Sequence, residues 1–496
     1  MMKFGLTEQI IKNVNAIFEE NSKVDKAIIF GSRAKGNFKE GSDIDIAIKG
    51  QDLGFKDILK LTGKLDDLDL SYKIDLLDYH NISEPALTEH IDRMGVEFYS
   101  RWKEYKLSTT SDVLTGFSFK GDEYEVNGNL KVVRGENVTL GALRWDSEKH
   151  WNKSTKDLEK YFLKENDIVI GMDGSRVGKN KAIIKMNELP LILAQRVALL
   201  RAKKDFYQKY IWYNIFSKQF ADYVDSIHTG TSIPHISQSQ IGDYKIAAPP
   251  KNEQKEIASV LSSLDDKIDL LQRQNKTLEQ LAETLFRQWF IEEAEEGWET
   301  KKLGELITIT SSKRIFYSEY VSNGVPFYRS KEIIELRKNG STNSELYISN
   351  ERFDEIDIKF GSPQEGDILM TSVGTLGVAY RVKKSEKFYF KDGNLTWFKD
   401  FKQLPSSIIY LWLISKLGQE ELGAIKIGST QEALTIEGLK NISFRIPPSD
   451  KIKEIEIQFI DIIRKMDFNQ LQIKVLENTR DDLLTKLLSG EIRVHL

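Results

Sequence analysis

The sequence predicts an α+β multidomain protein: a small α/β domain, then two mixed α+β domains alternating with two long helices that pair as an antiparallel coiled coil. Three observations predict it. Ile257, Leu261, Leu264, Ile268, Leu271, Asn275, Leu278, Ala282, Leu285 and Trp289 advance by alternating fours and threes. So do Ile455, Phe459, Ile462, Met466, Asn469, Ile473, Leu476, Arg480, Leu483 and Leu487, each 198 positions later. This is the spacing of a coiled-coil seam, and nine of ten positions in the first copy and eight of ten in the second are apolar. Second, the repetition reaches upstream at the same offset, pairing Gly230 with Gly428 and Pro249-Pro250 with Pro447-Pro448, as an internal duplication would. Third, residues before Trp102 share nothing with the repeat and carry a pattern of their own.

In chain order, the signals divide the sequence at 1–101 (the α/β domain), 102–250 (first mixed domain), 251–297 (central helix), 298–448 (second mixed domain) and 449–496 (C-terminal helix). Looser echoes place the domain starts: Trp102 to Leu107 with Trp298 to Leu303, and Asn166-Asp167-Ile168 with Gly366-Asp367-Ile368. At 496 residues, 40% hydrophobic and 29% charged, the chain has room for three to four compact units. With no cysteine there is neither a disulfide framework nor a Cys-based zinc site. Apolar runs such as Ile408 to Ile414 are too short to span a bilayer, and Met1 to Ile11 lacks a signal-peptide core, so a cytoplasmic chain without a membrane partner is expected. Net charge is −4; the first hundred residues carry 13 Lys/Arg against 18 Asp/Glu, and the remainder is close to neutral. Any nucleic-acid contact must therefore come from local basic patches.

In the first domain, a β-rich run from Ala27 ends in Phe30-Gly31-Ser32-Arg33, and a second carries Ser42-Asp43-Ile44-Asp45-Ile46. Residues two apart on a strand share a face, so Asp43 and Asp45 can share one divalent metal, with Asp75 on a neighbouring strand as a third carboxylate. Gly31 lets a phosphate approach the backbone, and Ser32 with the following helix start offers donors. At these residues the chain resembles the minimal nucleotidyltransferases of the DNA polymerase β superfamily, over roughly residues 7–100. The resemblance implies that Asp43 and Asp45 bind Mg2+, that Asp75 completes the catalytic triad, and that Gly31, Ser32 and Arg33 hold the triphosphate of ATP or another NTP. Such enzymes transfer a nucleoside monophosphate to a hydroxyl, and some act as antitoxins on a partner protein, which implies a toxin-like partner.

From Trp102 onward the chain resembles the DNA specificity subunit of type I restriction-modification systems. The carriers are Pro249-Pro250-Lys251-Asn252-Glu253-Gln254 leading into a helix, Glu283-Thr284-Leu285-Phe286 near its end, Gly366-Asp367-Ile368-Leu369-Met370-Thr371-Ser372-Val373-Gly374, and the terminal Leu487-Leu488-Ser489-Gly490-Glu491-Ile492. The resemblance implies two target-recognition domains reading a bipartite sequence in double-stranded DNA. The helices would serve as ruler and as dock for two methyltransferase subunits. Restriction (translocase/nuclease) subunits complete such a complex, and S-adenosylmethionine is bound by the methyltransferases and not by this chain. A helix of about 35 residues would be about 50 Å long. The expected DNA contacts are Arg134, Asn137, Ser175, Arg176, Lys179, Lys181, Thr231 and Ser232 in the first domain, and Arg329, Lys331, Ser372, Thr375, Ser429, Thr430 and Gln431 in the second. Arg, Lys, Asn and Gln suit base edges, while Ser and Thr suit phosphates.

Gly174-Ser175-Arg176-Val177-Gly178-Lys179-Asn180 imitates a phosphate-binding P-loop but has three residues between its glycines where four are required, so a hairpin turn is expected there. The seam asparagines, Asn275 and Asn469, would set register, with Asn275 facing Ile or Leu in an antiparallel pair and Arg480 snorkelling. A second functional reading makes AMP transfer to a protein or RNA the main activity, with the DNA-binding part only targeting it.

Overall fold

Short apolar runs, Ala27 to Phe30 and Ile44 to Ile48, make the first sheet, whose strands alternate with helices. In order come α1 (Glu8–Glu20), β1 (Lys26–Phe30), α2 (Gly31–Lys35), β2 (Ile44–Lys49), α3 (Phe55–Asp66), β3 (Ile74–Asp78), α4 (Pro85–Met94) and β4 (Val96–Ser100). The sheet order is β3-β2-β1-β4, with β2 parallel to β3 and antiparallel to β1. Val14, Ile17 and Phe18 of α1 and Leu61 and Leu65 of α3 bury against Ile29, Ile44, Ile46 and Ile48. Ile91 of α4 packs on Phe30 and Ala47.

The computed structural model describes residues 3–21, 23–39, 41–50, 52–227, 234–428 and 432–494. The chain divides into two units, one of residues 1–263 with 480–496 and one of residues 264–479.

Each unit contains one copy of the same mixed domain. In the first, strands Ser111–Thr115, Val197–Ala202, Ile168–Gly171 and Lys181–Ile183 form an antiparallel sheet in that spatial order. In the second, Thr308–Thr310, Leu395–Lys399, Ile368–Thr371 and Ala379–Arg381 repeat it. Helices Gln208–Phe216, Lys218–Ile227 and Gln238–Asp243 follow in the first copy, and Ser406–Ile414, Lys416–Ala424 and Ile436–Lys440 in the second. A closing strand then returns to the domain's first one: Lys245–Ala248 pairs with Lys103–Lys106, and Ser443–Ile446 with Glu299–Lys302. The Gly174 to Asn180 segment joins two antiparallel strands of the first sheet, as a hairpin should. The copies diverge beside the sheet, where the second adds helices Ser330–Asn339 and Asn350–Phe360.

After each domain comes a long helix, Lys251–Arg287 (37 residues, ending in a π-turn at Gln288–Glu292) and Ser449–Ser489 (41 residues). Within the unit of residues 264–479, Ile268 and Leu271 pack on Ile473 and Leu476, while Trp289 meets Phe459 at 5.5 Å between ring centroids. Ascending numbers on one helix meet descending numbers on the other, so the pair is antiparallel. Within the other unit, Ile257, Ala258 and Leu261 share a core with Leu484 and Leu487. The buried stripe drifts from the 4-3 pattern towards the ends, where Leu484 is buried in place of Leu483 and Phe286 in place of Leu285. An ideal helix of 3.6 residues per turn drifts in this way against a 3.5 repeat.

Asn275 does not face an aliphatic residue. Asn469 Nδ2 donates to Asn275 Oδ1 at 2.9 Å, and Asn275 Nδ2 reaches the Met466 carbonyl at 3.3 Å. One hydrogen bond thus joins the two seam asparagines inside the apolar stripe, where Asn469 is fully buried and its Oδ1 has no hydrogen-bond partner. Arg480 lays its guanidinium over the Phe216 ring at 4.9 Å and bonds Asp481 at its rim.

The α/β domain is fixed to the rest of its unit by charge. Arg493, in the chain's last residues, donates to Asp25 at 2.8 Å and to Glu253 at 2.9 Å, and Glu253 stands in the first turn of the central helix. Inside the domain, the Arg101 amide donates to the Asp25 carbonyl at 2.9 Å. Lys181 is turned inward: its Nζ donates to the Ile215 carbonyl at 2.6 Å, in the last turn of helix Gln208–Phe216, and lies 5.1 Å from the Phe220 ring centroid. A cation there complements the helix C-terminus.

Replacing Asn275 by Leu strands the buried Asn469 amide and should lower the stability of its unit by about 1–3 kcal/mol, whereas Asn275→Leu with Asn469→Leu should recover most of it. Denaturant unfolding of the two variants checks this; equal losses would remove the pair's role. Burial pushes the Lys181 amine down to about 8. The unfolded chain then holds more protons at this site between about pH 8 and the ordinary lysine range, so stability contributed here rises with pH across that window. The difference in unfolding midpoint between wild type and Lys181→Met should grow in favour of wild type from pH 8 to pH 10, and a flat difference would contradict the burial of a charged amine.

Candidate functional site

The chemistry of the α/β domain gathers at the ends of β1 and β2. The chain leaves β1 at Phe30 and enters α2 through Gly31, whose φ of +71° favours glycine. A Cβ there would stand 2.3 Å from Asp45 Oδ2, so only glycine lets the turn lie against that carboxylate. Asp45 lies opposite Phe30 on one side and in register with Asp75 of parallel β3 on the other. Asp43 is exposed just before β2.

Burial, and then the charges of Asp75 and Asp43, push the Asp45 carboxyl above its usual range, with Arg33 partly opposing them. A divalent cation would relieve that repulsion, and hard carboxylate oxygens are the donors magnesium takes. The residue types thus suit the ion, and Asp43, Asp45 and Asp75 are the residues that would hold it. As placed, no group of three His, Asp or Glu among the described residues could hold a metal ion, and Asp75 pairs with Lys73 at 2.6 Å.

Arg33 does not stand where a triphosphate would meet it. It is buried, and donates to the Ser42 carbonyl at 2.9 and 2.6 Å, the Asp43 carbonyl at 3.2 Å and the Phe4 carbonyl at 3.0 Å. Its ring contacts are Tyr72 at 4.5 Å and Phe38 at 5.3 Å. The guanidinium fixes the loop that presents Asp43, a positioning role that a Gly-Ser-Arg pattern alone could not distinguish from ligand binding.

The expected DNA contacts separate by burial. Asn137, Lys181 and Ser372 are 1%, 2% and 4% exposed and so are corrected from DNA contacts to interior groups. Asn137 accepts from the Arg134 amide at 3.0 Å and donates to the Arg144 carbonyl at 3.1 Å, closing a turn. Ser372 lies just after strand Ile368–Thr371, its amide bonded to the Asn394 carbonyl. Ser175, Arg176 and Thr375 are exposed in the corresponding hairpins of the two domains. Lys179 pairs with Asp225 at 2.9 Å, Lys331 with Glu345 at 2.7 Å, and Arg329 with Glu332 and Glu345 at 2.7 and 3.0 Å. Arg134 pairs with Glu136 and donates to the Ser147 carbonyl at 2.7 Å. Lys179–Asp225 and Lys331–Glu345 are surface pairs, weak enough for a phosphate to displace the carboxylate, whereas Glu332, which holds Arg329, is fully buried. Thr231, Ser232, Ser429, Thr430 and Gln431 lie outside the described residues. Sequence reasoning passed over Asp173, Arg196 and His235, a charged group on the first domain. The duplication gave no signal for it, because the matching backbone positions hold Val373, Asn394 and Ala433.

Among the described residues no helix is long and apolar enough to cross a membrane. Comparison with known proteins places the site in context. The family model described as "Type I restriction modification DNA specificity domain" matches twice, at residues 99–280 and 295–478, and "Polymerase beta, Nucleotidyltransferase" matches residues 12–104. The specificity subunit of the type I restriction enzyme MjaIX of Methanocaldococcus jannaschii is 28% identical over 69% of this chain and 83% of its own length. That of EcoBI of Escherichia coli is 23% identical over 84% of this chain and 91% of its own. The crystal structure of a type I restriction-modification S subunit from M. genitalium covers 78% of this chain and 96% of its own, with 17% identity and a TM-score of 0.48. With both copies of its mixed domain matched, the chain belongs to the type I restriction-modification DNA specificity family, and carries a nucleotidyltransferase domain of the polymerase β type at its N-terminus.

Proposed function

We propose that this protein is the DNA-reading subunit of a type I restriction-modification complex, recognising a bipartite, asymmetric target in double-stranded DNA in the cytoplasm. The observation that carries this reading is the duplicated domain, each copy of one topology and each followed by a helix of the antiparallel pair. Two readers built on one scaffold suit two short half-sites. Arg134, Ser175, Arg176 and Lys179 of the first domain, and Arg329, Lys331 and Thr375 of the second, are the proposed contacts. The helices are the proposed dock for two methyltransferase subunits, which bind S-adenosylmethionine, and the restriction subunits join that assembly. Sequencing the methylome of a host that carries this gene with its methyltransferase should return one motif of two specified segments around an unspecified gap. A single contiguous motif, or methylation independent of this chain, would reject the reading.

The N-terminal domain supports a second activity, transfer of a nucleoside monophosphate from ATP or another NTP to a hydroxyl of a protein or RNA, including a toxin-like partner. The contact of Gly31 with Asp45, and the electrostatic coupling of Asp45 to Asp43 and Asp75, favour it. In this reading the three carboxylates hold magnesium, which supplies charge neutralisation at the phosphates, while the Gly31-Ser32 turn presents the amides at the start of α2 to the triphosphate. Arg33 holds the Asp43 loop in place.

The raised carboxyl of Asp45 means that the folded domain holds its proton to higher pH than the unfolded chain does, so stability falls as pH rises through that interval and the ionised group costs stability at neutral pH. Asp45→Asn should therefore raise the unfolding midpoint at pH 7 while abolishing magnesium-dependent label transfer from ATP. Magnesium should stabilise wild type and leave Asp45→Asn unchanged. A variant that loses stability, or still responds to the metal, would contradict the proposed site.

A further inference from the structure

The Asp173 carboxylate on the first target-recognition domain holds an arginine and a histidine. His235 Nδ1 meets its Oδ1, and Arg196 Nη1 donates to its Oδ2 at 2.8 Å. The carboxylate is 19% exposed, Arg196 67% and His235 47%, so an anchored acid lies beneath two side chains that face solvent. The Arg196 Nε and Nη2 donors meet no acceptor among the described residues. Arg196 also adopts a φ of +66°, a left-handed conformation that strains any residue with a Cβ. The other non-glycine residues described with positive φ are Phe, Asp, Asn and Ser; Arg196 is the only basic one.

The backbone does not need this charge cluster. Met172 N bonds the Arg196 carbonyl at 3.0 Å and Ile236 N bonds the Met172 carbonyl at 3.0 Å. In the second domain, Ser372 N bonds the Asn394 carbonyl at 2.9 Å and Leu434 N bonds the Ser372 carbonyl at 3.0 Å, making the same junction. Its side chains are Val373, Asn394 and Ala433, so the fold forms this junction with no ion pair at all.

We infer that Arg196, oriented by Asp173, reads a guanine in the half-site of the first domain. A guanidinium held at one nitrogen by a fixed acid keeps a rigid fork of donors, the shape that takes the O6 and N7 acceptors of guanine in the major groove. The same acid repels a phosphate, so a backbone clamp would gain less from this arrangement than a base reader does. His235 holds the other carboxylate oxygen and fixes its plane. The inference rests on the proposed role of the chain as a DNA specificity subunit.

The test uses the full chain assembled with its methyltransferase, with DNA binding and methylation scored on targets substituted one base pair at a time. Wild type should require a G·C pair at one position of one half-site. Arg196→Ala and Arg196→Lys should each weaken binding of the cognate target by roughly 10- to 100-fold and lose discrimination at that position alone, leaving the other half-site unchanged. Arg196→Lys keeps the charge and, at a largely exposed position, the fold, so it separates base reading from phosphate attraction. Discrimination that survives Arg196→Lys at every position overturns the inference while leaving the proposed function standing. A wild-type complex with no bipartite target overturns both.

Discussion

The pairing of two helices that are remote in sequence is the constraint on which the duplicated architecture depends. Each helix buries one apolar stripe, and neither could remain helical in water on the strength of that stripe alone. The stripe is buried where Ile268 and Leu271 meet Ile473 and Leu476, and where Trp289 meets Phe459. A purely apolar seam tolerates sliding, since one aliphatic residue substitutes for another at small cost. The bond from Asn469 to Asn275 does not, because a shift of one turn would leave the buried Asn469 amide without that partner. Polar pairing here trades some stability for a unique alignment.

The same trade appears at the end of the chain. Arg493 brings its charge to two carboxylates from parts of the sequence far apart, Asp25 before β1 and Glu253 at the head of the central helix. Burial raises the Asp25 carboxyl and Arg493 opposes the rise, so the acid would be costly without its partner. The nucleotidyltransferase domain is thereby fastened to its unit by groups that must be satisfied together.

How much of this was legible in the sequence follows from which signals are periodic. The helices, their seam and the twofold repetition could be read because burial repeats every three or four residues and duplication repeats a whole domain. The Gly-Ser turn was legible, and the structure places Gly31 against Asp45, but the expected shared strand face was not found: Asp45 is on β2 and Asp43 lies just before it. Arg33 was misread because an arginine beside a phosphate turn has the same local sequence whether it faces ligand or carbonyls; only the carbonyls of Ser42 and Phe4 decide it. Asn137 and Lys181 were misread for a related reason. A polar side chain chosen for its donors serves a buried turn or a helix C-terminus as well as a base, and burial at an irregular loop has no period to detect.

Duplication also explains why the target should be asymmetric. Two identical domains related by an antiparallel helix pair would read a palindrome, whereas here the scaffold is kept and the side chains on it have diverged. Lys181 and Ala379 occupy the same place in their sheets, one opposite Ile170 and the other opposite Met370. Asp173, Arg196 and His235 stand where the second domain has Val373, Asn394 and Ala433. The backbone junction is indifferent to the exchange, since its hydrogen bonds form in both copies. Side chains at this junction can therefore change without changing the fold, while the helices keep the pairing of each unit.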